Sequence, residues 1–318
     1  MKKLLVLIIC MFMTMIAGCS FTTDGANTSK ENLTLKIGLM PDVDSIPFII
    51  AQEKGFFKEE GINVELENFK SAMDRDSALQ SGNLDGCVSD MLAIGFAKAG
   101  GFDVKMTSAT NGNYCLIAGT NNTAQSIREM KGQDIAVSKN TIIEFILDQM
   151  LAENNMNEKD INKTVIPQIP TRLEMLQSGK LAAAVLPEPM GSIAVKKGSR
   201  MINSSEQMHM NPGIMVFTND SLENKTKAIK AMYRAYNKAV NYINNTPKEE
   251  FIDMAVDKAG LPPEAKTDLI LPKYMEASLP SKKDWYKSIN WLNQKGLIHE
   301  NYKYEDMVSD ILENDSSK

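Results

Sequence analysis

Leu79-Gln-Ser-Gly-Asn-Leu-Asp-Gly-Cys-Val88 decides the fold, because the chain writes it again as Leu176-Gln-Ser-Gly-Lys-Leu-Ala-Ala-Ala-Val185. Leu, Gln, Ser, Gly, Leu and Val recur in register. Each copy reads as a helix end, a glycine stop and a short buried strand. Acidic residues follow at once, Asp90 after the first copy and Glu188 after the second. A single recurrence is too sparse for a solenoid, which stacks three or more shorter units. It predicts two similar α/β lobes, each placing a carboxylate at the carboxyl end of a strand, where open α/β sheets bind ligands.

Working outward, strands and helices alternate around the first copy. Leu33–Leu39 is a strand that runs into the polar loop Met40–Pro47. Phe48–Lys54 is a helix stopped at Gly55, and Ile62–Leu66 a second strand. Ser71-Ala-Met-Asp74 resembles a capping-box start, with a helix running to Gly82. Asp85–Ser89 and Val104–Ala109 follow as strands. That alternation predicts parallel βαβ units. Asn111-Gly-Asn113 breaks the pattern and Tyr114–Ala118 opens a new strand. The plan then repeats through strand Asp134–Ser138, helix Thr141–Glu153, strand Val165-Ile166, helix Thr171–Ser178 and strand Leu181–Leu186. Asn211-Pro-Gly213 breaks it again before strand Ile214–Thr218. The two breaks bracket an insertion. Residues 113–213 form lobe 2 within lobe 1 (33–112 and 214–318), and two crossing strands make the hinge. The remaining tail reads helical over Lys225–Asn244, Lys248–Ala259, Lys282–Lys295 and Tyr304–Leu312 and is expected to pack on lobe 1.

The first eighteen residues stand apart. Lys2 and Lys3 precede the apolar run Leu4–Met15, which is short for a membrane span, and Ile16-Ala-Gly-Cys19 places small residues before a cysteine. This resembles the lipobox of bacterial lipoproteins. It implies cleavage after residue 18, a lipid on Cys19, and an extracytoplasmic protein anchored to the bacterial membrane. Residues 19–32 then read as a flexible linker. Without Lys2 and Lys3 the balance is 33 basic against 40 acidic side chains, or −7, which disfavours a nucleic-acid partner. Cys87 and Cys115 lie in apolar strand-like runs and read as buried thiols, although a disulfide stays open. The 21 Met residues are scattered singly and read as core filling, so no metal is expected.

This order of elements resembles the type II periplasmic-binding-protein fold, within the solute-binding proteins of ABC importers. The run Ile49-Ile-Ala-Gln-Glu-Lys-Gly-Phe-Phe-Lys-Glu-Glu-Gly-Ile-Asn-Val64 is similar to the NMT1/THI5-like group, which includes sulfonate, nitrate and thiamine-precursor binders. The 79–85 join, Pro187-Glu-Pro189 and Trp285–Ile298 carry the resemblance further. It implies a monomeric receptor without a cofactor that hands a small-molecule ligand to an ABC transporter permease. The group also holds eukaryotic enzymes that make the thiamine pyrimidine with a cysteine-rich iron motif. This chain has no such cluster, and His209 and His299 lie far apart, so an enzyme is only a remote alternative.

The strand-end rule points to Asp42, Asp44, Ser45, Ser71, Asp74, Ser89, Asp90, Asn140, Thr141 and Glu188 as ligand-binding residues. Tyr114 is the ring-stacking partner and Phe48 the next. Five carboxylates in one cleft would repel an anion. A cationic or nitrogen-heterocyclic ligand, thiamine or its aminopyrimidine precursor, is therefore expected. A sulfonate, taurine or nitrate is the alternative.

Overall fold

The computed structural model describes residues 33–313; the signal peptide, Cys19 and the linker lie outside them. The chain enters through β1 (Thr34–Leu39), α1 (Ile46–Glu53), β2 (Asn63–Asn68), α2 (Ala72–Gln80), β3 (Gly86–Asp90), α3 (Met91–Ala99) and β4 (Val104–Ala109). It crosses into a second unit of β5 (Tyr114–Ala118), β6 (Asp134–Val137), α4 (Ile142–Glu153), β7 (Asn162–Val165), α5 (Ile169–Gln177), β8 (Ala183–Pro187), α6 (Met190–Lys196) and β9 (Arg200–Ser204). It returns by β10 (Gly213–Thr218) and ends in α7 (Thr226–Asn245), α8 (Ile252–Ala259) and α9 (Lys282–Gln294).

The repeated stretch builds the same join twice. Leu79 and Leu176 are buried on the last turns of α2 and α5. Gly82 and Gly179 follow with φ of 76° and 72°, the left-handed conformation that glycine adopts without a Cβ clash. Leu84 and Leu181 then lead into β3 and β8, whose residues are all buried. The two sheets have matching orders, β2-β1-β3-β10-β4 and β7-β6-β8-β5-β9. Their registers match as well: Ile37 pairs with Gly86 in the first sheet, Ile135 with Ala183 in the second.

Neither sheet is wholly parallel, contrary to the βαβ expectation. β10 runs antiparallel to β3 and β4, and β5 antiparallel to β8 and β9. These are the two crossing strands; each reaches its sheet from the other lobe rather than through a crossover helix, so nothing imposes a parallel entry.

The tail divides its contacts. α7 buries Ile229, Met232, Tyr233, Tyr236, Val240 and Ile243, a stripe at helical spacing, and Tyr236 packs on Phe48 with ring centroids 5.0 Å apart. α9 does not stay on lobe 1. Its Ile289 and Leu292 press on α3, where a Cβ on Gly95 would lie 2.6 Å from Leu292 Cδ1. Its other side meets α4 of lobe 2: Trp291 stacks edge-on against Phe145 at 5.7 Å and donates to Asp148 Oδ2 at 3.0 Å. Lys295 reaches Glu144 at 3.2 Å, Asp148 at 3.3 Å and Glu158. The last expected helix is only one turn, Tyr304–Met307. Val308 then bridges to Met106, and Ser309 N–H donates to Met106 O at 2.8 Å.

Candidate ligand-binding cleft

A small cavity opens between the carboxyl ends of β1 and β3 on one side and β6 and β8 on the other. Its rim is drawn together by Ile169 N–H donating to Lys70 O at 3.2 Å and by Gln168 Nε2 donating to Asp74 Oδ2 at 3.3 Å. Near the hinge, Val43 N–H donates to Glu188 O at 3.1 Å.

Two arginines line the cavity: Arg75, which in sequence adjoins one of the expected cleft loops and would suit an anion, and Arg172, which no expectation from the sequence named. Arg75 on α2 is 3% exposed and Arg172 on α5 is 0% exposed. Arg75 donates from Nη1 to Val88 O at 3.2 Å, and Arg172 from Nε to Val185 O at 3.1 Å. Arg172 Nη1 also donates to Ile166 O and Pro167 O. Val88 and Val185 are matched positions of the repeat, and each arginine stands four residues before its matched leucine, Leu79 or Leu176. The signal was therefore in the sequence, one helical turn upstream of the matched stretch. In Arg172 Nη2 is buried without a hydrogen-bond partner.

Their electrostatics differ. Arg75 Nη2 lies 2.8 Å from Asp76 Oδ1, which Nε bonds at 2.9 Å, and 3.7 Å from Asp90 Oδ2. Burial opposes its charge, but Asp76, Cys87 and Asp90 outweigh burial and raise its pKa. Arg172 pairs with no carboxylate among the described residues, and burial alone lowers its pKa to about 10. It is a buried cation at neutral pH with only carbonyl dipoles around it.

The acids expected to hold a cation are mostly engaged by the protein. Asp90 lines the cavity but caps α3, accepting from the Leu92 and Ala93 amides at 3.0 Å each; burial raises its pKa, with Arg75 opposing. Asp42 also lines the cavity and accepts from Asp44 N–H at 3.1 Å. Burial, then the neighbouring Asp44, raise its pKa well above the carboxylate range. Asp44 is not in the lining. It holds the hinge, accepting from Asn111 N–H at 2.6 Å and Thr110 Oγ1 at 3.0 Å, and burial pushes its pKa to about 6. Asp74 accepts from Ser71 Oγ at 2.7 Å on the rim.

Glu188 does not face Asp90. The repeat aligns Asp90 with Pro187, and both line the cavity. Glu188 is one residue further, and a one-residue step turns a side chain to the other face. Its carboxylate accepts from Ser192 N–H at 3.0 Å in α6 and lies 3.4 Å from Cys115 Sγ.

Of the others, Ser89, Tyr114 and Thr141 line the cavity, with Thr141 capping α4 through Ile143 N–H. Ser45 is buried in its own turn, donating to Met40 O at 2.6 Å. Ser71 caps α2 through Asp74 N–H. Asn140 is exposed at φ 58°, its N–H on Glu144 Oε2. Phe48 belongs to the core beneath α7. Cys87 and Cys115 are free, buried thiols. Ser138, Ile142, Ile143, Pro167 and Ile169 complete a largely apolar wall. Elsewhere, Glu144, Asp148 and Glu158 cluster closely enough to suggest a cation site, but Lys163 and Lys295 already fill it.

Residues 28–257, well over half the chain, match the NMT1-like family. A Brachyspira hyodysenteriae protein named as a candidate ABC transporter periplasmic binding protein is 23% identical over 261 residues, 76% of this chain and 73% of that protein. The periplasmic aliphatic sulphonate binding protein of Escherichia coli superposes with a TM-score of 0.72 at 14% identity, covering 87% of this chain and 92% of its own. The periplasmic nitrate-binding protein of Synechocystis gives 0.74 at 17%, covering 89% and 88%. At such identities the structural likeness establishes the two-lobed periplasmic-binding-protein fold, and through the family match the chain belongs to the NMT1-like family.

Proposed function

We propose that this protein is the solute receptor of an ABC importer, tethered outside the cytoplasm by a lipid on Cys19, and that its cleft takes a small organic anion with a short apolar tail. The observation that carries the choice of an anion is Arg172, a fully buried guanidinium that pairs with no carboxylate among the described residues and whose Nη2 has no partner. An isolated buried charge costs several kcal/mol, and an anionic ligand would recover that cost on binding. A cation placed about 5 Å away would instead meet a repulsion of about 3 kcal/mol at an effective dielectric constant of 20. The carboxylates that favoured thiamine in the sequence are capping helices, holding the hinge or raised in pKa by burial. The apolar wall of Ile142, Ile143, Pro167 and Ile169 suits a short hydrocarbon tail. Sulfonates and carboxylates meet both requirements, and nitrate meets the first. In this reading the protein captures and delivers its ligand as a monomer and performs no reaction on it.

Thermal-shift screening of the lipid-free chain against ethanesulfonate, taurine, acetate, nitrate, thiamine and an aminopyrimidine tests the proposal. A ligand at about 100 times its Kd adds about 2.7 kcal/mol of stability. Stabilisation by the anions alone is the expected result. Stabilisation by thiamine or the aminopyrimidine alone would reverse the ligand assignment.

A further inference from the structure

The repeat does more than place one arginine in each lobe. With Leu79 set on Leu176, the lining residues Ala72, Arg75 and Asp90 fall on Ile169, Arg172 and Pro187, which also line the cavity. The strand registers extend the match: Ile37 pairs with Gly86 as Ile135 pairs with Ala183, so Met40 falls on Ser138, and both line the cavity. Both guanidiniums donate to the carbonyl of the matched strand valine, Arg75 through Nη1 and Arg172 through Nε. Arg172 Nη2 is buried without a partner, whereas Arg75 Nη2 is held at 2.8 Å by Asp76 Oδ1. Arg75 and Arg172 belong to different lobes, so the two arginines line one small cavity from opposite sides.

We infer that Arg75 and Arg172 form a two-lobed clamp on a single oxyanion head, each guanidinium donating to a different oxygen, so that the ligand itself joins the lobes. This rests on the anion-receptor reading and narrows it. The head must offer at least two oxygens at the angles of a carboxylate, nitrate, sulfonate or phosphonate. A spherical halide supplies charge without paired acceptors and is a poor substitute.

The two arginines have unequal tasks. Arg75 is already balanced by Asp76 and Asp90, so its contribution is directional: a hydrogen bond to the head from the first lobe. Arg172 has no such balance and supplies the attraction. Replacing either with a residue that cannot span the cleft should therefore weaken binding, but by different routes.

Titration calorimetry with ethanesulfonate and acetate, and small-angle scattering with and without ethanesulfonate, test the clamp in the wild-type chain and in Arg75→Lys, Arg75→Gln, Arg172→Lys and Arg172→Gln. Arg172→Gln is expected to lose at least 100-fold in affinity, and Arg75→Gln about tenfold or more. Both lysine variants should recover part of the loss, because the charge remains while the fork geometry is gone. The compaction that ethanesulfonate induces in the wild type should be lost at equal saturation in Arg75→Gln. Bromide should bind at least 100-fold more weakly than ethanesulfonate. A folded Arg75→Lys protein that binds and compacts as wild type would overturn the clamp while leaving an anion receptor centred on Arg172. Should Arg75→Gln fail to fold, Arg75→Lys and the bromide comparison decide. Absence of any anion binding to the wild type would instead remove the reading on which the clamp rests.

Discussion

Replacing Arg172 with methionine should remove ligand binding and leave the folded protein almost as stable as before. The guanidinium is fully buried, and its pKa falls from 12.5 to about 10, a shift worth on the order of 3 kcal/mol against the charged form at about 1.4 kcal/mol per unit. Methionine removes that cost with a side chain of similar length. Against this stand the three carbonyls of Val185, Ile166 and Pro167, which lose their donors at roughly 1 kcal/mol each. The terms nearly cancel, so the ligand-free variant should lie within about 1 kcal/mol of wild type, whereas breaking a buried ion pair costs about 3–5 kcal/mol. Urea unfolding of both proteins, with and without ethanesulfonate, reads both quantities. The expected outcome is similar unfolding midpoints without ligand and a ligand-induced shift in the wild type alone. A loss above about 4 kcal/mol in the ligand-free variant would refute the reasoning and make Arg172 a structural fastener of α5 to β8.

Three further outcomes follow from the same geometry. The folded-state pKa of Asp44 is raised by burial from 3.8 to about 6, so between those values the native state binds more protons than the unfolded chain. Stability should therefore fall as pH rises through that window, by on the order of 3 kcal/mol if the whole shift is realised, and level off above it. Asp44→Asn should flatten this slope in pH-dependent urea titrations; an unchanged slope would assign it to other groups. Gly86→Ala should destabilise strongly, by more than about 2 kcal/mol, because the added Cβ would lie 2.5 Å from Val216 O. Its repeat partner is Ala183, so the reverse change, Ala183→Gly, should cost only about 1 kcal/mol by chemical denaturation. Lys295→Met removes contacts from α9 to Glu144, Asp148 and Glu158 on lobe 2. Ethanesulfonate affinity should fall roughly three- to tenfold, about 1 kcal/mol, with a weaker dependence on salt; unchanged affinity would show that closure does not use these contacts.

Much of the architecture was legible because it depends on local pattern. Glycines at 82 and 179 mark helix ends whose φ is positive, and the breaks near 112 and 212 mark the chain crossings. Strand direction was not legible, since the residues of β5 and β10 are apolar whichever way they run. Nor was the span of α9, because Trp291 and Lys295 give no hint in sequence of which lobe they meet. At the cleft, reading the repeat forward from its leucines found Asp90, left Arg75 as a mere neighbour of one loop and passed over Arg172. Counting Glu188 as the partner of Asp90 ignored a one-residue offset that the strand alternation makes decisive. The acids looked free because capping bonds such as those of Asp90 to Leu92 and Ala93 are made to backbone amides, which composition does not reveal.

The matched lining has the character of a palindrome whose halves have been spelled on one chain. In a symmetric homodimer any substitution appears on both sides of the interface at once, and a ligand can sit in either of two equivalent directions. Fusion removes that constraint. Where the first half-site carries Asp76 and Asp90, the second carries Leu173 and Pro187. The cleft therefore has a polarity that no symmetric pair could have, with compensated charge on one wall and bare charge on the other. On the anion-receptor reading proposed above, a ligand with distinct ends has one preferred orientation, its anionic end drawn most strongly to Arg172.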